Sequence, residues 1–352
     1  MNKTKVAVIG CGTIGRSQHV PCYAKNPAVE IKYLCDIIPE RADALAEQYH
    51  VPHTVVDFRE ILKDPEVEAI SVCTPNDTHA PIAIACLDAG KNVLCEKPAS
   101  VNLKLVKAMK AAADRNGKIL NIGVCNRFNT SVNKIKEMIE AGELGDVYQI
   151  YCSFRAHRSI PGLGGPFTTK AHAGGGVLID WGVHFLDLIF YSIGLPKVLT
   201  VSGEIHSQLG KDMPNYAYID MWAGPPDYSG TYDVEDFVTG LIRTAGPTIT
   251  LNGSWAQNIG ESAMFVEFLG NKAGVKLDYF GSFKVYGTNK GALTEIIPSY
   301  HKADMFYDEL DSFVKSSNEN VKNRGNIDQV IITSEVMEAL YKSAELGKEV
   351  SL

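Results

Sequence analysis

The chain has 352 residues, with 41 acidic and 34 basic side chains and a formal net charge of −7. At roughly one domain per ~150 residues this length suggests two domains. A composition of 45% hydrophobic and 21% charged residues excludes a disordered chain and a collagen-like repeat. A net-negative chain without a Lys/Arg block lacks the footprint of a nucleic-acid or anionic-lipid binder, so neither partner is expected. The eight cysteines, at positions 11, 22, 35, 73, 86, 95, 125 and 152, include no pair spaced by two residues. That argues against a zinc knuckle or a thioredoxin-like pair. Met1-Asn2-Lys3-Thr4-Lys5 leads straight into a strand-like run, and no stretch of 18 uncharged apolar residues follows. The expectation is a reduced, soluble, cytoplasmic protein without a signal peptide or membrane span.

In chain order, short apolar runs alternate with helical patterns. Val6–Ile9, Ile31–Cys35, Ala69–Cys73, Val93–Cys95 and Ile119–Val124 are too short for helices and rich in Val, Ile and Leu. Between them Arg41–Tyr49, Pro81–Ala89 (closed by Gly90) and Leu103–Asn116 carry helical spacing. Continuous apolar strands alternating with helices predict a parallel sheet covered on both faces, the doubly wound nucleotide-binding layout.

The first strand–helix junction reads Gly10-Cys-Gly12-Thr-Ile-Gly15. Gly10 permits the tight turn, Gly12 admits a pyrophosphate to the backbone and Gly15 lets helix pack on strand. Phosphates would sit at the helix N-terminus, where free N–H groups and the dipole favour anions. Asp36 closes the second strand 21 residues after Gly15, placed to take a ribose hydroxyl pair and to repel a 2′-phosphate, which favours NAD over NADP. The alternative for Asp36 is a plain turn residue. Two more loops fall at strand C-termini, Thr74-Pro75-Asn76-Asp77-Thr78-His79 and Glu96-Lys97-Pro98. Lys97 there either polarises a substrate oxygen or is a solvated surface lysine, and periodicity does not decide between them.

The segment from Val177 to Ile193, after the triplet Gly174-Gly175-Gly176, is almost wholly apolar and predicts a buried helix. On a helical wheel Asp180, His184, Asp187 and Tyr191 fall at about 0°, 40°, −20° and 20°, one narrow stripe. Burying such groups is expensive unless they are paired or line a wet cavity. Asp180 and His184 are either a paired core acid and imidazole or a general base with its orienting carboxylate. The glycine triplet suggests close approach of backbone to a ligand. No third metal ligand stands nearby, so no metal is expected.

The glycine loop, Glu96-Lys97-Pro98 and Asp180-x-x-x-His184, in this order and over essentially the whole chain, resemble the glucose–fructose oxidoreductase, inositol dehydrogenase and rhizopine-catabolism family. The resemblance implies an N-terminal Rossmann domain, assigned to residues 1–125. It also implies a substrate and oligomerisation domain on a large, mainly antiparallel open sheet, assigned to residues 126–352. Lys97, Asp180 and His184 match the catalytic positions. The NAD surface implied comprises Gly10, Gly12, Thr13, Ile14, Gly15, Asp36, Ile37, Arg41, Thr74, Pro75, Asn76, His79, Glu96, Lys97 and Asn126. Asn126-Arg127-Phe128 is similar to the segment just past the last Rossmann strand, and the second sheet's outer face usually makes a homodimer or homotetramer.

The remainder fits that plan. Tyr148–His157 alternates as a strand, Val234–Ile242, Thr248–Trp255 and Phe265–Leu269 are further strand candidates, and Asp304–Lys315 and Asp328–Leu346 read as closing helices packing towards the first domain. The reaction implied is NAD-dependent oxidation of a secondary hydroxyl on a sugar, cyclitol or glycoside. His184 acts as base, Asp180 orients it and Lys97 stabilises alkoxide charge. Carbohydrate hydroxyls need fixed polar partners besides Lys97, Asp180 and His184, and Arg127, Arg155, His157 and Arg158 are candidates; Arg155–Arg158 is equally a solvated strand end. The segment Arg155–Gly176 reads as a loop over the crevice and resembles members oxidising the 3-hydroxyl of glucosides. The alternatives are redox-neutral NAD-dependent glycoside cleavage and a non-catalytic nucleotide sensor.

Overall fold

The computed structural model describes residues 3–279 and 281–352. Met1 and Asn2, the first two residues of the leader weighed above, lie outside them. The described chain forms two compact units, Met1–Phe128 with Ala303–Ile331, and Asn129–Lys302 with Ile332–Leu352.

The first unit is built on a six-stranded sheet of β1 (Thr4–Ile9), β2 (Val29–Cys35), β3 (His53–Val55), β4 (Ala69–Val72), β5 (Asn92–Glu96) and β6 (Leu120–Gly123). The strand order is β3-β2-β1-β4-β5-β6 and every pairing is parallel. This is the doubly wound order, whose ligand crevice lies where the order reverses, between β1 and β4. The connecting helices are α1 (Val20–Lys25), α2 (Pro39–Tyr49), α3 (Arg59–Leu62), α4 (Asn76–Asp88) and α5 (Leu103–Asn116). β1, β4, β5 and β6 are almost uniformly buried, as strands covered on both faces must be. Helix α4 begins five residues before Pro81, where the sequence pattern places its start. Pro81 removes a single amide donor near the first turn, and the helix absorbs it.

The second unit contains a nine-stranded sheet of order β14-β13-β12-β11-β7-β10-β9-β8-β15. Its strands are β7 (Val147–Arg155), β8 (Val198–His206), β9 (Phe237–Thr244), β10 (Thr248–Ser254), β11 (Ala263–Gly270), β12 (Gly274–Asp278), β13 (Phe283–Asn289), β14 (Ala292–Ile296) and β15 (Val350–Ser351). All neighbours are antiparallel except β7 and β10, which run parallel. The fold is α/β, a Rossmann sheet with a second, mainly antiparallel sheet. Helices α6 (Thr130–Glu140), α7 (Lys170–Ala173) and α8 (Val183–Ser192) belong to this unit. Ile150, Cys152 and Phe154 of β7 are buried on one face, and Phe154 stacks on Phe185 of α8 with centroids 5.0 Å apart. Tyr151, Ser153 and Arg155 line the other face, a broad open hollow of about 580 Å³ shared with Thr239, Leu241, Asn252 and Phe265. The helical run Lys170–Ser192 is long and apolar enough to cross a membrane by length and composition, yet 78% of its apolar window is buried inside the protein.

Two C-terminal helices complete the chain, α9 (Met305–Glu319) and α10 (Ile327–Leu346). Leu310, Phe313 and Val314 of α9 join the core of the first unit with Val6, Val8 and Leu34.

Candidate active site

In the first unit the candidate residues gather at the C-terminal ends of the parallel strands. After β1 the chain turns at Gly10, with φ at +98°. A Cβ on Gly10 would stand 2.4 Å from the Cys73 carbonyl oxygen, and one on Gly15 would stand 2.1 Å from the Gly10 carbonyl oxygen. Protein packing therefore demands both glycines. A Cβ on Gly12 would meet nothing within 4 Å. Nothing in the protein's own packing requires a bare backbone there, whereas a pyrophosphate lying on the loop does. The chain then enters a π turn, Gly15–His19, before α1.

Asp36 ends β2 and holds this loop. Its carboxylate accepts the Cys11 amide at 2.8 Å and the Ile38 amide at 2.9 Å. The turn role of Asp36 is observed, and with two of a carboxylate's about four acceptor sites taken it leaves room for a ribose hydroxyl. Ile37 and Arg41 beside it are exposed, as is Thr13, while Ile14 is half-buried. The residues present accordingly fit a dinucleotide: a bare amide loop for the phosphates and a carboxylate at the neighbouring strand end.

The loops after β4 and β5 are tied together by His79. Its Nδ1 lies 2.8 Å from the Pro98 carbonyl oxygen and its Nε2 2.8 Å from that of Thr74. Burial pushes the imidazole below its ordinary pKa, against the pull of the two carbonyls. His79 is thus a buried brace between two ligand loops. Thr74 is also bonded by Thr78, and Pro75 and Asn76 open α4. At the end of β5, Glu96 accepts His19 Nε2 at 2.8 Å and the Lys97 amide at 3.1 Å. Burial pushes this carboxyl up, but the His19 bond and the neighbouring Lys97 outweigh it and hold it below the ordinary glutamate value. Gly123 on β6 makes room, because a Cβ there would lie 2.9 Å from the Glu96 carboxylate. Lys97 is half-buried at the strand end. The sequence reading missed His19, 0% exposed; a histidine four residues past the loop's third glycine was its only signal. Asn126 is buried, and Arg127, 0% exposed, donates to the Arg324 carbonyl at 2.7 Å and to Gln329 Oε1 at 3.0 Å. Those bonds make Arg127 a tie to the segment before α10 and to that helix's first turn.

In the second unit the helix expected over Val177–Ile193 forms as a π turn, Leu178–Gly182, followed by α8. π turns are rare and favour functional sites. Between Val177 and Ser192 only Asp180, Trp181 and His184 escape full burial. Asp180 Oδ2 accepts the Trp255 indole N–H at 3.3 Å. Asp187 and Tyr191, the other two members of the stripe drawn on the wheel, both have polar partners in the core. Asp187 is buried and accepts the Thr333 hydroxyl at 3.2 Å, and Tyr191 donates to Asn133 at 2.8 Å. The wheel's constant 100° per residue does not hold across the π turn that carries Asp180, whereas His184, Asp187 and Tyr191 all lie on α8.

The glycine triplet has a different cause from the ligand approach expected of it. A Cβ on Gly176 would lie 1.9 Å from the Glu235 carbonyl oxygen, and one on Gly175 2.1 Å from the Tyr341 hydroxyl. The backbone approaches protein there. Arg155 stands away from that helical segment. It lies on the outer face of β7, bonded to Ser153 at 3.2 Å, opposite the Phe154 face on which α8 packs. His157 is exposed and bonded to the Gln257 carbonyl. Arg158 donates to the carbonyls of His157 and Gln257 and to Asn258 while stacking on Tyr216. These three residues brace the strand end and its neighbouring loop. Among the described residues no three His, Cys, Asp or Glu side chains group as metal ligands.

Residues 4–124 match the family model of oxidoreductases with an NAD-binding Rossmann fold, and residues 132–290 match the GFO/IDH/MocA C-terminal domain. The chain belongs to the GFO/IDH/MocA family. This GFO/IDH/MocA protein is an NAD-dependent oxidoreductase. It is 31% identical to D-glucoside 3-dehydrogenase of Escherichia coli over 351 residues, covering 99% of this chain and 97% of that one. It is 30% identical to myo-inositol 2-dehydrogenase of Thermotoga maritima over 190 residues, 54% of this chain and 55% of the relative. Among solved structures it resembles GenD2 from gentamicin A biosynthesis in complex with NAD, at 25% identity and a TM-score of 0.80, covering 100% of this chain and 97% of that one.

The glycine geometry separates two effects. Gly12→Ala is expected to fold with stability within about 0.5 kcal/mol of wild type and to weaken NAD binding about tenfold or more. Gly15→Ala is expected to lose about 1–3 kcal/mol of stability through overpacking. Thermal unfolding and NAD titration by calorimetry check both.

Proposed function

We propose that the protein oxidises a secondary hydroxyl of a glucoside-type carbohydrate, with the 3-hydroxyl as the target. The observation that carries this reading is the partial exposure of Asp180 and His184, the two ionisable residues among the three that escape burial on this apolar helical segment. End-to-end similarity to a glucoside 3-dehydrogenase supports the choice of substrate.

The cofactor's nicotinamide, when bound, supplies the hydride acceptor. Gly10, Gly12 and Gly15 would hold its phosphates and Asp36 a ribose, with Ile37, Arg41, Thr74 and Asn76 bordering it. A neutral His184 takes the proton of the substrate hydroxyl at one ring nitrogen. Asp180, fixed by the Trp255 indole, orients a neighbouring hydroxyl. The Lys97 ammonium, on a main chain pinned by Glu96, stabilises the charge that develops on the hydroxyl oxygen.

The eight cysteines are all free and buried, which supports a reducing, cytoplasmic setting. The open outer face of the nine-stranded sheet, with Tyr151 and Phe265 on it, supports a homodimer or homotetramer assembled there. Light scattering is expected to give a dimer or larger for wild type and a smaller species for Tyr151→Asp; a monomeric wild type contradicts this assembly.

With a methyl glucoside and NAD, Lys97→Ala and His184→Ala are each expected to lower kcat by about 10²–10⁴-fold while NAD binding survives. Wild-type turnover in either variant refutes that residue's role. Net NADH without release of free aglycone marks a dehydrogenase; aglycone release without net NADH marks redox-neutral cleavage.

A further inference from the structure

The helical segment that carries Asp180 and His184 starts from three consecutive amides, and one residue engages all three. Gly176 N–H donates to both carboxylate oxygens of Glu235 at 2.9 Å, and Leu178 N–H donates to its Oε1 at 3.0 Å. Val177 N–H donates to the Glu235 main-chain carbonyl at 3.2 Å. The Tyr341 hydroxyl donates to Oε1 at 2.8 Å. Amides at a helix start have no partner within the helix, so these bonds determine where the segment begins. Leu178, held in this way, offers the carbonyl that accepts the Val183 amide and closes the π turn.

The next residue reaches the same segment by a second route. The Asp236 carbonyl accepts the Trp255 amide at 2.9 Å, and the Trp255 indole donates to Asp180. The Asp236 carboxylate meanwhile accepts the amides of Gln208, Leu209 and Gly210. The dipeptide Glu235-Asp236 thus holds both the first turn and the side chain of Asp180.

We propose that Glu235 is a positioning residue for the reaction: by gripping Gly176, Val177 and Leu178 it fixes the π turn and with it the aim of Asp180 and His184. The proposal rests on the reading in which those two residues act on substrate.

An ordinary cap does not account for this arrangement. Helix starts are commonly satisfied by a short Ser, Thr, Asn or Asp side chain at the first position. Here a glutamate 57 residues away from Leu178 does the work, and Gly175 and Gly176 forgo side chains to admit it and Tyr341. Burial pushes the Glu235 carboxyl above the ordinary glutamate value despite the hydrogen bonds it accepts. A carboxyl raised in the folded state makes its ionised form a stability cost, which sets in as pH rises past the unfolded glutamate value. A cap kept for stability alone would be better neutral.

Glu235→Gln preserves size and can keep an oxygen on the Leu178 amide and the Tyr341 hydroxyl, but it turns an NH₂ group towards the Gly176 N–H. With a methyl glucoside, kcat is expected to fall about 10- to 100-fold while KM for NAD and the unfolding midpoint stay near wild type. The deuterium isotope effect on kcat is expected to rise as the chemical step becomes limiting. In the NAD-free protein, the His184 Cε1–H resonance, assigned by its loss in His184→Ala, is expected to move in Glu235→Gln. Tyr341→Phe, which removes one grip, is expected to give a smaller loss in the same direction. A folded Glu235→Gln with wild-type kcat and an unmoved His184 resonance overturns the proposal. Should that variant fail to fold, Tyr341→Phe with neither change overturns it. His184→Ala at full activity sinks the acid–base reading itself, whereas an inactive His184→Ala beside a fully active Glu235→Gln sinks only the positioning role.

Discussion

Buried carboxylates that accept main-chain amides hold the segments on which the assigned chemistry depends. Asp36 binds the amide inside the glycine loop, Glu96 binds the amide of Lys97, Glu235 binds the first amides of the Asp180–His184 segment, and Asp236 binds the loop after β8. Each lies beside the end of a strand or the start of a helix, where amides are left over by the regular hydrogen-bond pattern. Taking a carboxylate out of water is unfavourable unless such donors replace the lost hydration. The exchange is rigid on both sides: the anion needs the amides, and the amides can reach it only if the chain stays in place. The loops of the candidate site are in this way held by the protein's own carboxylates.

The same constraint explains the glycines. Gly10, Gly15, Gly123, Gly175 and Gly176 are each excluded from carrying a side chain by a neighbouring protein atom, and two of those neighbours are residues that hold the site, Glu96 and Glu235. Gly12 stands apart because nothing in the protein crowds it. A glycine pattern alone cannot distinguish these cases. The sequence shows that the backbone must be bare, and the packing shows whether protein or ligand fills the space.

The Rossmann half was legible because its strands β1, β2, β4, β5 and β6 are centred on short runs rich in Val, Ile and Leu and its loop follows a known spacing. β3, three residues with two exposed, left no such trace. In the second unit β7, β9, β10 and β11 could be read, but their order could not, since β7 lies between β10 and β11 and pairs with residues about a hundred positions away. Lys97, Asp180 and His184 were visible through the resemblance and through the isolation of polar residues on an apolar helix. His19, Glu235 and Trp255 were not, because each acts through a partner distant in sequence. The two π turns also left no mark in the residue spacing, and one of them breaks the constant 100° step between Asp180 and the stripe members on α8. Arg155 and Arg158, readable from the sequence either as substrate contacts or as a strand end, are bonded to their own sheet face and loop.

The most direct test of the enzymatic account follows a single hydrogen. A methyl glucoside carrying deuterium on the carbon of the oxidised hydroxyl is incubated with the protein and NAD, and the reduced cofactor is analysed by mass spectrometry. The expected result is one deuterium in the nicotinamide ring for each molecule of ketone formed. Deuterium found in the solvent, or retained in the sugar with no reduced cofactor, would contradict direct hydride transfer at this site.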